Sequence, residues 1–284
     1  GDVYKRQTAL HAHGFDTELA DLRYQFNKIL TPGLARDKLS FLYQKQRILN
    51  YISQDSSDED IDSLLSDLLS GYDFEDYLAV GISMGADNSI FEIHFSLIIG
   101  SYIKKHHDKT IILGGVNISI LYAYRKEYRE LWAAMLGRFN YIVKGAGERS
   151  LPEILTGRGN PKSLNGLIHC ENGDVRANPE YAPLILRPDF DTLPLEYYSN
   201  YLDESSNDDA KENLEMIYRL PPHLHRFVNS TRAMKINMQR RLIIPYIFNQ
   251  NCPYSCTFCW ESDVDKGKVV LGDVHKVVDD IKYL

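Results

Sequence analysis

Three apolar runs, each with glycine at or just beyond its carboxyl end and each followed by a helical pattern, constrain this chain more than any other feature. Tyr77-Leu-Ala-Val-Gly-Ile-Ser-Met84 and Thr110-Ile-Ile-Leu-Gly114 are continuous apolar runs of the kind carried by strands buried on both faces, and Tyr141-Ile-Val-Lys144 is the third. Between the first two, Asn88 to His107 places Ile90, Phe91, Ile93, Leu97, Ile98 and Ile103 at helical spacing. Ile118 to Leu136 predicts a further helix, and Ser150 to Leu155 opens the last one. Strand and helix in alternation predict an α/β fold, a doubly wound parallel sheet with helices on both faces. Upstream, residues 34 to 70 predict helix with a polar break at Gln54 to Asp60 that can cap the next helix. Thr8 to Gly14 reads as the tail of a helix, and Phe15 to Leu22 as a strand.

The glycines fall where such a sheet uses them. Gly81-Ile-Ser83, Gly114-Gly115 and Gly145-Ala-Gly147-Glu148 lie at the carboxyl ends of the predicted strands. Ligands of doubly wound sheets bind in that crevice, because glycine lets backbone approach the ligand and the next helix offers free N–H groups. Tight strand-to-helix turns also require glycine, so each position taken singly has both readings. None forms GxGxxG, which disfavours a nicotinamide or flavin site.

Three of the four cysteines lie within eight residues, Cys252-Pro-Tyr-Ser-Cys256-Thr-Phe-Cys259, directly after the apolar run Arg241 to Phe248. That run predicts a buried strand, and Asn249 to Asn251 turns the chain into the cysteine loop. Thiolates at this spacing suit an iron–sulfur cluster. A cubane takes four cysteine ligands when saturated, so three local ones leave one iron open to a substrate or cosubstrate. Two other readings stand beside it: a zinc site completed by His169 or His275, and three unrelated thiols. The chain lacks the paired CxxC units of zinc knuckles.

The C-x3-C-x2-C spacing, with Phe258 just before the last cysteine, resembles the hallmark of the radical SAM superfamily. The resemblance implies that Cys252, Cys256 and Cys259 hold a 4Fe–4S cluster and that Phe258 packs near the adenine of S-adenosylmethionine. In that family the open iron chelates S-adenosylmethionine, and an electron cleaves it to a 5′-deoxyadenosyl radical. A reductant such as flavodoxin or ferredoxin is implied as a partner.

Residues 77 to 155 resemble the cobalamin-binding, Rossmann-like domain that precedes many radical SAM domains. AVGIS at 79 to 83, ILGG at 112 to 115 and Asn-Tyr-Ile-Val-Lys-Gly-Ala-Gly-Glu at 140 to 148 follow its order, with Ala146 in place of the usual glutamate. Carried over by position, Ser83, Gly114, Gly115, Gly145 and Gly147 line a cobalamin pocket. The resemblance spans most of 8 to 160, together with 183 to 202 and 241 to 260, where Leu193-Pro-Leu-Glu-Tyr-Tyr198 is similar to the family's linker. It implies radical chemistry on a small-molecule or peptide substrate, with C-methylation the commonest outcome. The D-x-H-x-x-G lower-ligand motif of cobalamin-dependent mutases is not found after a first strand, and many radical SAM relatives bind cobalamin without it. Two alternatives remain: a radical SAM enzyme whose Rossmann-like domain binds no cobalamin, and a non-catalytic metal-binding or interaction module.

The remaining segments have plainer readings. His94, among apolar neighbours on a helix, is expected in the core and not on cobalt; His11 and His13 are expected on a helix surface. Asp273-Val-His275 is expected to cap and open a helix. Asn172-Gly173 predicts a hairpin between Gly166 to Cys170 and Asp174 to Arg176, with Cys170 a packed thiol. Asp203 to Glu215 is a polar loop, and basic Arg219 to Arg241 a solvated face. Gly1 to Gln7 resembles adapter read-through. The expected division is thus residues 1–7 as an artefact, 8–160 as the cobalamin-binding-like domain with its first strand missing, 161–240 as hairpin and linker, and 241–284 as the start of a partial TIM barrel. Both ends look truncated, and the fragment alone is expected to show no turnover. Net charge of −7 gives no nucleic-acid surface, mean hydropathy of −0.33 and the absence of a long apolar run argue against a membrane span, and few, clustered cysteines suit a reducing cytoplasm.

Overall fold

The computed structural model describes residues 2–22, 39–53, 56–85, 90–157, 163–181, 249–250 and 269–283. At its centre, strands β1 (Ala79–Ser83), β2 (Thr110–Gly114) and β3 (Tyr141–Ile142) form a three-stranded parallel sheet in that order. Ala79 lies opposite Thr110 and Ser83 opposite Gly114, so β1 and β2 run out at the same level. Leu113 lies opposite Ile142, and a bridge from Val143 to Leu167 closes the third strand.

Strand β2 shows why the sheet needs cover on both sides. Its side chains alternate: Ile111 and Leu113 enter the larger core, while Ile112 joins Val143, Ile154, Leu164 and Leu167 in a smaller one on the other face. Helices α1 (Asp2–His11), α2 (Lys45–Ser53), α3 (Glu59–Leu69), α4 (Ile90–His107), α5 (Val116–Ala123), α6 (Arg129–Arg138) and α7 (Gly147–Thr156) supply that cover. The chain is therefore an α/β fold around a parallel sheet. Helix α4 is apolar on most of its circumference because it is enclosed: the sheet lies on one side, and α2 and α3 pack on it from the other. Helix α3 starts where Asp58 accepts a hydrogen bond from Ile61 N, and Arg47 from α2 holds the same carboxylate through two contacts of 2.6 Å. Among the described residues, no helix is long and apolar enough to cross a membrane.

Several expectations are corrected. Phe15 to Asp21 is not a strand, because none of the described strands offers it a ladder partner, and Leu22 packs on the main core instead. The run at Tyr77 to Met84 is an edge strand, with Gly81 and Ser83 exposed and a single neighbour among the described residues. Helix breaks between α5 and α6, where Arg125 stacks over Tyr122 at 4.5 Å and donates to Val175 O at 3.1 Å. Buried Trp132 then donates to Leu121 O at 3.2 Å and folds α6 back onto the end of α5.

Strands β4 (Ile168–Glu171) and β5 (Asp174–Ala177) form the antiparallel hairpin expected around Asn172-Gly173, whose φ values of +52° and +81° are those of a type I′ turn. Cys170 is exposed on it, not packed, since a two-stranded ribbon has an outer surface that none of the described residues covers at this position. Asn249–Gln250 forms strand β6, not a turn, and pairs antiparallel with β7 (Val270–Leu271). Asp273 Oδ1 accepts from His275 N and opens helix α8 (Val274–Tyr283), as expected. The strand at Arg241 to Phe248, the linker at Leu193 to Tyr198 and the segments 203–215 and 219–241 lie outside the described residues. Helix α1 runs through Asp2 to Gln7 and on to His11, so the segment expected to be helical, Thr8 to Gly14, is helix only as far as His11 and turn beyond it.

Candidate functional site

Parallel pairing brings Ser83, Gly114, Gly115, Gly145 and Gly147 to one edge of the sheet. There the loops after β1 and β2 meet backbone to backbone: Met84 N donates to Gly114 O at 2.8 Å, and Gly115 adopts a φ of +99°. A Cβ on Gly115 would overlap the Met84 carbonyl, so glycine is required for conformation and for space. Gly85 N is satisfied by Glu92 Oε1 from the first turn of α4 at 2.7 Å. Gly145 is also left-handed, with a φ of +80°, and its N–H points to Ser119 Oγ at 3.4 Å. Helix α5 thus starts against the crevice at Val116, and helix α7 at Gly147.

Asn117, the second residue of α5, is the most informative side chain here. It is 1% exposed, and neither its amide nitrogen nor its amide oxygen has a hydrogen-bond partner among the described residues. A buried amide without partners costs about 1–3 kcal/mol, which a ligand offering a donor and an acceptor would recover. Nothing in the sequence pattern singled it out: it is one of two polar residues, with Ser119, in the mainly apolar Val116-Asn-Ile-Ser-Ile-Leu121.

Two charged side chains from distant segments lie against this edge. Arg6 of α1 donates from Nη1 to Ser83 Oγ at 2.8 Å, and its stem lies 3.4 Å from where a Cβ on Gly147 would stand. Glu180, beyond β5, lies against Gly145 so closely that a Cβ there would overlap its carboxylate, and it pairs with Lys144 Nζ. Lys5, one residue from Arg6, is 2% exposed and its ammonium has no hydrogen-bond partner among the described residues.

The histidines behave as their surroundings dictate. His94 is buried, its Nδ1 faces Leu42 O, and burial holds its pKa below the ordinary 6.5; it is a core residue joining α4 to the turn at Ser40–Tyr43. His13 Nδ1 contacts Ala9 O and His11 Nε2 contacts Thr17 Oγ1, both local to the end of α1. Among the described residues no group of three His, Cys, Asp or Glu side chains could hold a metal. Cys252, Cys256, Phe258 and Cys259 lie outside the described residues, so the fold neither joins nor separates them. No family model, no curated protein and no solved structure matches this chain.

Proposed function

We propose that this chain serves radical SAM chemistry of the cobalamin type, most simply C-methylation of a small-molecule or peptide substrate. The observation that carries the reading is the cysteine spacing, 252, 256 and 259, with Phe258 inside it and a parallel α/β domain ahead of it. Three soft thiolates are a donor set suited to iron–sulfur and leave one coordination position for S-adenosylmethionine. When bound, the cluster supplies the electron that cleaves S-adenosylmethionine, and cobalamin supplies the methyl group.

The chain's own residues then have simple tasks. Cys252, Cys256 and Cys259 would hold the cluster, and Phe258 would lie beside the adenine of S-adenosylmethionine. At the sheet edge, Gly115 lets the loops after β1 and β2 close on each other, and Asn117 has donor and acceptor capacity, unused among the described residues, for one of a corrinoid's amide groups. Ser83, Gly145 and Gly147 complete that wall, although Arg6 and Glu180 lie over them. Such covering favours a second reading, in which radical chemistry is retained and the α/β domain binds no cobalamin.

Anaerobic reconstitution with iron and sulfide tests the main reading. The expected product carries iron at 4Fe–4S stoichiometry, and its reduced electron paramagnetic resonance signal changes on addition of S-adenosylmethionine. Cys252→Ser, Cys256→Ser and Cys259→Ser each lose the cluster, whereas Cys170→Ser keeps it. Uptake of zinc without iron would instead support a non-catalytic metal module and overturn the proposal.

A further inference from the structure

We propose that Asn172, at the tip of the β4–β5 hairpin, is a modification site: its side-chain amide is lost spontaneously to leave aspartate and isoaspartate, and the hairpin loosens as a result. Asn165, which is also followed by glycine, is protected by the fold.

Asn165-Gly166 and Asn172-Gly173 are the two Asn-Gly pairs of the chain. Glycine after asparagine favours the reaction because no side chain shields the glycine nitrogen. That nitrogen forms a bond to the asparagine Cγ, and the Cγ–Nδ2 bond breaks. The leaving amide takes up the proton that the glycine nitrogen gives up and departs as ammonia. Water then opens the five-membered imide at either carbonyl, leaving aspartate or isoaspartate, whose main chain runs through the former side chain. The sum is amide plus water giving acid plus ammonia, with no oxidant or reductant.

Attack requires the peptide between the two residues to swing, and the fold treats the two pairs differently. Gly166 is buried, its nitrogen donates to Pro179 O at 2.9 Å, and its carbonyl accepts from Lys144 N at 2.8 Å. Ser150 Oγ donates to Asn165 O at 3.0 Å, so that peptide is fixed on both sides. At the hairpin tip, Asn172 and Gly173 are both exposed, and the Gly173 nitrogen donates to no acceptor among the described residues. Nothing lies within 4 Å of a Cβ built on Gly173. Asn172 must leave its left-handed conformation for the attack, and the pairing of Glu171 with Asp174 is what resists. Opening the tip of an exposed two-stranded ribbon is a low-cost local event.

Either product adds a negative charge between exposed Glu171 and Asp174. Isoaspartate also lengthens the backbone of a two-residue turn, and the turn sets the register of the hairpin. The ladder from Glu171 and Asp174 to Ile168 and Ala177 is therefore expected to open from the tip.

The full chain, held in mildly alkaline buffer both folded and in denaturing urea, tests this by peptide mass spectrometry of the two asparagines. In the folded protein Asn172 is expected to convert at least about tenfold faster than Asn165, the factor that one retained hydrogen bond represents. In urea the two are expected to convert at similar rates, because glycine follows both. Equal rates in the folded protein, or an unconverted Asn172 while the unfolded chain reacts, would overturn the assignment. Amide hydrogen exchange of the aged protein then reads the hairpin. Faster exchange across residues 168–177 than in fresh protein supports the loosening, and unchanged exchange there overturns it.

Discussion

Gly115 carries two constraints at once, a left-handed backbone and contact with the Met84 carbonyl. Either alone would penalise a side chain. Gly115→Ala is therefore expected to lose about 1–3 kcal/mol of stability, read from urea unfolding, whereas Gly173→Ala at the open hairpin turn meets only the backbone penalty and loses less. A Gly115→Ala protein as stable as the parent would contradict the close approach of the two loops. The glycine was legible in the sequence because turn chemistry is a property of one residue and its neighbours. Asn117 was not, because isolation is a property of everything around a side chain. Cys170 was misread for the same reason: a thiol's burial depends on which face of its hairpin is covered.

At the scale of elements, the α4 helix and the sheet approach closely because Gly100 has no side chain. A Cβ there would stand 2.9 Å from both Ile82 Cδ1 and Phe139 Cε1. Alanine gains about 1 kcal/mol in helix propensity, but overpacking a filled core costs about 1–3 kcal/mol. The rigid Phe139 ring decides the balance, so Gly100→Ala is expected to lower stability by about 1 kcal/mol, and a raised melting temperature would refute the packing. Element identity was readable wherever the pattern was long or the turn chemistry specific: β2 has the predicted bounds, and the Asn172-Gly173 hairpin forms as expected. It failed where a partner was needed. Phe15 to Asp21 has apolar residues but no described ladder to join, and the α5–α6 break depends on Arg125 reaching Val175 across the fold.

Across the whole molecule, acid should loosen the fold in two steps. His94 is held neutral, its pKa lowered chiefly by burial, so its folded form resists a proton that the unfolded chain accepts near 6.5. Stability is thus full above that value and falls as pH drops below it. Asp58, its pKa lowered first by the Arg47 hydrogen bond, adds a second loss below the ordinary carboxylate value of 3.8. Urea midpoints measured from about pH 7 to 5 should decline in the parent and decline less in His94→Gln; parallel profiles would refute the assignment.

Sequence alone determined the alternation of strand and helix, the glycines at the strand ends and the cysteine spacing, since periodicity and turn chemistry act between near neighbours. Tertiary structure alone decided that β1 lies at an edge among the described strands, that Asn117 has no hydrogen-bond partner among the described residues and that Arg6 reaches Ser83 across 77 residues of chain. Those contacts exist only because packing brings remote segments within hydrogen-bond reach, which no local pattern encodes.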